Sequence, residues 1–108
     1  MSKPQGVVWG GSHTFKVYDP NVNTGWNDIP GVYIFAGLDP TGRSWQAKYI
    51  GRTSSFMERM PPNHERWVEA RQIGATHIHA KVVQGSAQRI ELEDALIRAY
   101  RPPLNTRQ

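Results

Sequence analysis

Apolar and polar positions alternate over two stretches near the middle of the chain. Residues 31–36 point alternately to two faces, with Val32 and Ile34 sharing one of them. Residues 37–42 contain the glycine, aspartate and proline that tight turns favour. Residues 45–51 follow as a second strand-like stretch. The pattern therefore predicts two antiparallel strands joined as a hairpin.

Two helices are predicted directly after this hairpin. A short helix through Met60 is expected, capped by any of the three hydroxyl residues at 53–55 and interrupted by the proline pair that follows. Asn63 is expected to cap a second helix over residues 64–73, which Gly74 ends. Both segments are short, so they predict small helices packed against the hairpin.

The last third of the chain predicts one more strand and one longer helix. Residues 76–83 alternate, with the apolar positions on one face and His77 and His79 on the other, which is expected to be solvated. Ser86 is expected to cap a final helix that runs to about Tyr100. The predicted fold is α+β, with a small three-stranded, mainly antiparallel sheet flanked by helices.

The first part of the chain is predicted to be an extension of this core. Residues 14–18 alternate and are compatible with a strand, whereas the residues after them favour a loop. We therefore divide the chain into an N-terminal extension, residues 1–30, and a core domain, residues 31–108. The extension is expected to pack on the core, with Trp9 or Trp26 as its contacts.

Length, composition and charge narrow the class of protein. A chain of 108 residues predicts one domain, and its net charge of +4 with a pI near 9.8 suits a polyanion. A basic surface is equally compatible with a merely soluble domain. The absence of cysteine excludes disulfides and thiolate metal sites. No apolar stretch suits a membrane span or a secretory signal, so no membrane partner and a cytoplasmic location are expected.

One carboxylate of the last helix lies on its apolar side. Helical periodicity places Glu93 between Ile97 and Tyr100, beside an apolar stripe. A carboxylate facing the core is costly unless it is paired or binds a metal. Two interpretations remain open: Glu93 pairs with an arginine at the edge of the stripe, or it holds a cation in a cleft. The stripe consists of Leu92, Ala95, Leu96 and Ala99.

Two tripeptides on the predicted hairpin resemble the paired motif of the GIY-YIG nuclease family. Residues 31–33 are Gly-Val-Tyr and residues 49–51 are Tyr-Ile-Gly. Arg59 stands ten residues after Tyr49, at the following helix, where that family keeps its essential arginine.

Two further elements extend the resemblance to residues 31–105. The helix segment 92–97 resembles the one that carries the family's metal-binding glutamate, at Glu93, and Pro-Leu-Asn at 103–105 resembles its closing element, with Asn105 as the asparagine. The sequence departs from the family in a longer hairpin connection and in the proline pair within what is commonly one helix. In that family a histidine or tyrosine often follows the arginine by about one turn, whereas His64 follows Arg59 by five residues, beyond the proline pair.

The resemblance implies a metal-dependent endonuclease that hydrolyses phosphodiester bonds. Glu93 would hold one divalent cation, Mg²⁺ or Mn²⁺, which needs few protein carboxylates. Arg59 would offset charge on the scissile phosphate. Tyr33 and Tyr49 would flank the attacking water, one of them as general base, and the choice between them stays open. Asn105 would position the last helix or form a hydrogen bond near the site.

Several basic side chains are candidate contacts to the nucleic-acid backbone, although each is also compatible with ordinary surface charge. Arg52 is the best of them because it directly follows the second motif. His77 and His79 could in principle bind a transition metal, but no third ligand is apparent nearby. The candidate contacts are Lys48, Arg52, His64, Arg66 and Arg71.

The expected substrate is DNA, with RNA not excluded. A single active site would nick one strand at a time, as in a stand-alone nuclease of phage, mobile-element or repair type. The chain has no room for a second specificity domain, so a homodimer or a targeting partner is compatible with it. The alternatives are a non-catalytic nucleic-acid-binding module that keeps the fold, and an interaction domain with incidental motifs.

Overall fold

A five-stranded antiparallel sheet forms the middle layer of the protein. The structure is a computed structural model, and it describes residues 6–22, 25–61 and 64–105. The spatial order of the strands is β1-β2-β5-β3-β4, so β1 and β4 are the two edges. The strands are β1 (Gly6–Trp9), β2 (His13–Tyr18), β3 (Gly31–Leu38), β4 (Trp45–Thr53) and β5 (His77–Val82).

Three helices cover the two faces of this sheet. They are α1 (Phe56–Arg59), α2 (Glu65–Gln72) and α3 (Ser86–Tyr100). Side chains of α3 pack with Val32 and Ile34 of β3, whereas α1 and α2 pack with Tyr33 and Phe35. Successive residues of a strand point to opposite faces, so α3 lies on one face and α1 and α2 lie on the other. The α+β class is confirmed, but the predicted number of three strands is wrong.

The two additional strands come from the N-terminal part of the chain. The strand predicted at residues 14–18 is present as β2, and it pairs with β5. β1 was not predicted, because its four residues show no alternation long enough to recognise. Trp9 is buried and Trp26 is half-buried. The division of the chain at residue 30 stays a prediction.

The helix termini agree with the sequence in part. Ser55 caps α1 by accepting a hydrogen bond from the backbone N–H of Glu58. Asn63 lies outside the described residues, and the residue at the N-cap of α2 is His64. Ser86 is the first helical residue of α3 rather than its cap, which is Gly85 without a side-chain hydrogen bond.

The face of β5 that was predicted to be solvated is covered. His79 is fully buried, and its Nδ1 accepts a hydrogen bond of 2.9 Å from Nε1 of Trp9. Trp9 in turn contacts Tyr100 edge to face, at 4.9 Å between ring centroids. The prediction was wrong because Trp9 of β1 and Trp45 of β4, both distant in sequence, pack against His79.

The buried stripe of α3 is rotated from the predicted one. Ala95 and Ala99 are exposed, whereas Leu92 and Leu96 are buried in the cluster that also includes Ile34. The helix packs chiefly along β3 and β4, so the side of α3 nearer Glu93 faces the sheet. Within the described residues, no helix has the length and apolarity to cross a membrane.

Candidate active site

Glycine is required at two motif positions because neighbouring groups occupy the space of a side chain. A Cβ atom at Gly51 would lie 2.4 Å from the Tyr33 hydroxyl oxygen, so the phenol of Tyr33 crosses β4 at this residue. A Cβ atom at Gly31 would lie 2.1 Å from the carbonyl oxygen of Lys81 and 2.4 Å from the ring of Phe56. Gly31 thus allows α1 to approach β3, and Gly51 allows the phenol to reach the β4 edge.

The hydroxyl of Tyr33 is held by a buried histidine. Nε2 of His64 lies 2.7 Å from the Tyr33 hydroxyl oxygen, and both side chains are buried. Nδ1 of His64 accepts a hydrogen bond from the backbone N–H of Arg66, so its ring proton is on Nε2. His64 therefore donates to Tyr33, and the phenolic proton of Tyr33 points elsewhere.

Arg59 is positioned between the phenols and a carboxylate on α2. Its Nη2 lies 2.7 Å and its Nη1 3.4 Å from the two carboxylate oxygens of Glu65. Burial raises the pKa of Tyr33 well above its usual value, and the Tyr49 and Glu93 charges raise it further. The Arg59 guanidinium opposes this rise in pKa by its charge and by a hydrogen bond to the phenol. Tyr33 is therefore a neutral phenol at pH 7.

Tyr49 lies beside Tyr33 but is more accessible. Its ring centroid is 6.3 Å from that of Tyr33 and 5.3 Å from that of His64, and its side chain is half-buried. Burial raises the pKa of Tyr49, while Arg59 lowers it and Glu93 raises it. Among the described residues, none forms a hydrogen bond with its hydroxyl. Of the two phenol oxygens, this one is therefore the more accessible to a water molecule.

Glu93 forms an ion pair with Arg52 at the edge of the sheet. Nη1 of Arg52 contacts Oε1 of Glu93, and the side chain of Glu93 is 14% exposed against 46% for Arg52. The first interpretation of Glu93, a paired carboxylate beside the apolar stripe, therefore describes its contact. Its charge also acts on both Tyr33 and Tyr49. Glu93 is therefore both a paired carboxylate and a member of the candidate active site.

This carboxylate fits a hydrated divalent cation. It already faces one cation, the guanidinium of Arg52, at the outer edge of β4. No cluster of three or more histidine, aspartate or glutamate side chains suited to a metal occurs in the described part of the chain. Mg²⁺ accepts such a site, because it is bound through one or two carboxylates and keeps several waters. A transition-metal site at His77 and His79 has no such support.

Asn105 fastens the strand that carries the second motif. Its side-chain oxygen accepts from the backbone N–H of Ile50 at 2.7 Å, and its amide donates to the carbonyl of Ile50 at 2.8 Å. The neighbouring backbone N–H of Leu104 donates to the carbonyl oxygen of Lys48. The C-terminal segment therefore covers the edge of β4, and Asn105 binds the backbone of Ile50, which lies between Tyr49 and Gly51.

The residues predicted to contact the nucleic-acid backbone differ in their side-chain partners and in their exposure. Lys48 donates to the side chain of Gln46, and Arg66 pairs with Glu69 at 2.8 Å. Arg71 is exposed on the last turn of α2.

His64 differs from these candidates because it is 2% exposed and both of its ring nitrogens form hydrogen bonds. Its prediction as a backbone contact is wrong: it faces Tyr33 and not the solvent.

One residue of the site carried no recognisable signal in the sequence. Glu65 follows Arg59 by six residues, a spacing that no single helix or strand would favour for a pair. The turn at the proline pair brings the two together. The hydrogen bond of His64 to Tyr33 was not predicted for the same reason, because the two residues lie 31 apart in the sequence.

Solved structures of one nuclease domain are similar to this chain. No protein-family model matches the sequence, and no curated protein sequence matches it. The N-terminal GIY-YIG endonuclease domain of UvrC from Thermotoga maritima matches as a tyrosine-to-phenylalanine point mutant bound to its catalytic divalent cation. The match has a TM-score of 0.58 and 29% identity over 76% of this chain and 88% of that one.

Two further structures of that domain match this chain with similar TM-scores and identities. An asparagine-to-alanine point mutant bound to its catalytic divalent cation has a TM-score of 0.60 and 27% identity, over 76% of this chain and 88% of that one. The domain bound to magnesium as its catalytic divalent cation has a TM-score of 0.59 and 27% identity, over 75% and 88% of the two chains. In both fold and sequence this chain is therefore similar to a nuclease domain.

Proposed function

Since the chain belongs by its structure to the GIY-YIG endonuclease family, we propose that it is a metal-dependent endonuclease that hydrolyses phosphodiester bonds of DNA. The observation that carries the proposal is the convergence of two phenols, one guanidinium and one carboxylate from four different elements. Arg59 and Glu93 act electrostatically on both Tyr33 and Tyr49, with opposite signs. Structural packing alone does not require this combination.

Glu93 is the residue proposed to hold the cation, Mg²⁺ or Mn²⁺. A bound divalent cation would offset charge on a phosphate oxygen and on the leaving 3′ oxygen. Support comes from its ion pair with Arg52 and from the magnesium bound by the similar UvrC domain. With a cation at Glu93, Arg52 would be available to the phosphate backbone, where a guanidinium can bind two phosphate oxygens.

Arg59 is proposed to bind the scissile phosphate. Glu65 orients its guanidinium from one side through two contacts, 2.7 Å and 3.4 Å long. Both of these residues are more than one third exposed, so the pair positions the guanidinium more than it stabilises the fold. A guanidinium held in place offsets the charge that develops on the phosphoryl oxygens without reorganising during the reaction.

The two tyrosines are proposed to have different roles. The Tyr33 oxygen accepts a hydrogen bond from His64, and its own proton is proposed to be donated to water or to a phosphate oxygen. Tyr49 has an accessible oxygen and is proposed to accept the proton of the attacking water as a phenolate, after its own proton has passed to solvent. Burial raises the pKa of Tyr49, so this form would depend on the positive charges of Arg59 and of the bound cation. Asn105 is proposed as a positioning residue, because it touches the backbone of Ile50 and not the reacting atoms.

The finer features of the function are also proposals. One copy of the site cuts one strand, so we propose nicking rather than double-strand cleavage. The role is that of a stand-alone phage, mobile-element or repair-type nuclease in the cytoplasm, acting alone, as a homodimer or with a targeting partner. Lys48, Arg52, Arg66 and Arg71 are the proposed contacts to the DNA backbone.

The test is cleavage of supercoiled plasmid, branched DNA, single-stranded DNA and RNA with Mg²⁺ or with EDTA. The wild type is expected to convert supercoiled plasmid to the open circle with Mg²⁺ only. Glu93→Gln is expected to abolish cleavage, and Glu91→Gln, an exposed carboxylate on the same helix, to retain it.

Cleavage in EDTA, or full activity of Glu93→Gln, would overturn the proposal. Binding of DNA without cleavage under Mg²⁺ and under Mn²⁺ would establish the alternative, a non-catalytic nucleic-acid-binding module.

A further inference from the structure

A cavity separate from the candidate active site lies on the same sheet face as Tyr33, beyond α1. It has a volume of about 490 Å³, and its floor is formed by side chains of β2 and β5. The loop after β2 closes one side with Trp26, and α1 closes another with Phe56. A cavity of this size accommodates a ligand about as large as one nucleotide. None of the roles proposed above uses it.

The cavity has an aromatic wall. Trp26 lies between Tyr18 and Phe56, with ring centroids 5.1 Å and 5.8 Å away. Phe56 is buried, whereas Trp26 and Tyr18 are half-buried, so part of each ring faces the cavity. Half-exposed aromatic rings on which a planar group can stack are the usual binding surface for bases of single-stranded nucleic acid.

The charged lining of the cavity is basic. Lys16 and Lys81 line it, and the lining residues that the structure describes include no aspartate or glutamate. In the ranges that the structure describes, the ion pairs involve neither of these lysines. Lys16 is exposed and shares the cavity side of β2 with Tyr18. An ammonium group without a carboxylate partner beside a row of aromatic rings suits a nucleotide, whose phosphate and base require these two features.

The strand register places this cavity close to the candidate active site. Lys16 pairs with Ala80 and Ala80 pairs with Tyr33, so two strand spacings, about 10 Å, separate Lys16 from Tyr33. α1 connects the two places directly, because Phe56 at its start lines the cavity and Arg59 at its end acts electrostatically on Tyr33. A strand whose phosphate lies at Arg59 can therefore reach the cavity with a neighbouring nucleotide.

We infer that this cavity binds one unpaired nucleotide of the substrate strand, with its base against Trp26 and its phosphate at Lys16. The inference rests on the proposed function, because it takes the ligand to be part of the DNA strand that is cut. A base inside a continuous duplex has both faces stacked and cannot enter the cavity. The preferred substrate is therefore DNA that offers an unpaired nucleotide next to the cleaved bond, such as a single strand, a flap or a branch.

The test measures binding in EDTA, so that no cleavage takes place. An oligonucleotide of about 12 residues carries 2-aminopurine at successive positions, as a single strand and as a duplex. Stacking on Trp26 is expected to quench the emission of 2-aminopurine at one position of the single strand and at none in the duplex. Trp26→Leu is expected to remove this quenching.

A charge variant provides the second measurement, since Lys16 is exposed and its replacement leaves the core intact. Lys16→Gln is expected to weaken single-strand binding about fivefold, whereas Arg43→Gln, which removes a charge from the turn between β3 and β4, changes it by less than about twofold. Equal losses in the two variants, or unchanged quenching in Trp26→Leu, would overturn the inference.

The two proposals fail in distinguishable ways. If the quenching and its loss in Trp26→Leu are observed but Mg²⁺ supports no cleavage, the cavity stands and the nuclease assignment fails. If the wild type cleaves and Lys16→Gln and Trp26→Leu cleave single strands and duplexes with the wild-type ratio, the nuclease assignment stands and the cavity inference fails.

Discussion

The phenol of Tyr33 lies directly over Gly51, where a Cβ atom would come within 2.4 Å of the hydroxyl oxygen. The ring atoms of Tyr33 are almost as close, at 2.5 Å and 2.9 Å. The second motif therefore requires glycine at position 51 because the tyrosine of the first motif occupies the space of a side chain there. Two short motifs that lie on different strands form one structural unit.

Gly51→Ala is expected to displace the Tyr33 phenol from His64 and to reduce cleavage at least about a hundredfold, since misplacing a reacting group costs this much. Overpacking is expected to lower the free energy of unfolding by about 1–3 kcal/mol. Plasmid nicking rates and urea denaturation measure the two effects.

The control is the double variant Tyr33→Leu with Gly51→Ala, in which the clash is absent but the phenol is also missing. Its loss of unfolding free energy is expected to be smaller than the sum of the losses in the two single variants, while its activity stays low. Additive stability losses would show that the two residues are not coupled.

Arg52 is expected to compete with the divalent cation for Glu93. Arg52→Gln should raise Mg²⁺ affinity about two- to fivefold, because a half-exposed ion pair contributes up to about 1 kcal/mol. Isothermal titration calorimetry without DNA measures this. Arg66→Gln, which breaks the pair with Glu69 instead, should leave Mg²⁺ affinity unchanged, and Glu93→Gln should abolish binding. Weaker binding in Arg52→Gln would contradict the competition.

His64 is expected to act as a neutral donor at every pH at which the enzyme works. Burial and the charge of Arg59 lower the pKa of His64 to about 4. The rate between pH 5 and 8 should therefore show no inflection from this residue. His64→Gln should lower kcat by about tenfold to a hundredfold with little change in KM. An inflection near pH 6.5 that disappears in His64→Gln would mean that the histidine titrates during turnover.

Acid is expected to destabilise the fold through two buried histidines. Burial is the main cause that lowers the pKa of His64 and of His79 to about 4, below the usual 6.5 of histidine. Between these pH values the unfolded chain binds more protons than the folded one, so stability rises with pH there. The contribution of the two neutral histidines to the free energy of unfolding is expected to be fully present above about pH 6.5 and to fall progressively as the pH drops to about 4.

Urea denaturation at several pH values checks this dependence. His79→Gln keeps an acceptor for Trp9 but does not titrate, so its stability should fall less with acid than that of the wild type. His13→Gln, at a partly exposed position, is the matched control and should lose stability as the wild type does. Parallel curves for the wild type and His79→Gln would show that this histidine is not responsible.

Asn105 is expected to contribute to both stability and rate. Asn105→Ala leaves the N–H and carbonyl of Ile50 without their partner and should cost about 1–3 kcal/mol of unfolding free energy. Because Tyr49 and Gly51 flank Ile50, kcat should fall while KM changes little. Asn105→Asp keeps the acceptor but loses the donor, and should lie between the wild type and Asn105→Ala. A selective rise in KM would instead indicate contact with the substrate.

Periodicity predicted the elements whose signals are local. The hairpin of β3 and β4, strand β5 and the length of α3 follow from alternation, turn residues and helical spacing. The position of Glu93 on the sheet side of α3 also followed from its place in the helical turn. Such features depend on neighbours within about one or two helical turns, so the sequence contains them directly.

Two failed predictions of burial depended on segments distant in the sequence. His79 was expected in solvent, yet Trp9 covers it from 70 residues away. Ala95 and Ala99 were expected to be buried, and only the approach of α3 to β4 decided which side of that helix is covered. Local alternation identifies the two faces of an element but not what covers each face.

The sequence by itself determined which residue types were present and on which elements they stood: two phenols on a hairpin, a guanidinium on the helix after it and an acid on the last helix. Only the tertiary structure decided their partners, which are His64 for Tyr33, Glu65 for Arg59 and Arg52 for Glu93. Hydrogen bonds and ion pairs form through space over a few ångströms, whereas the order of residues along a chain does not encode such distances between its remote parts.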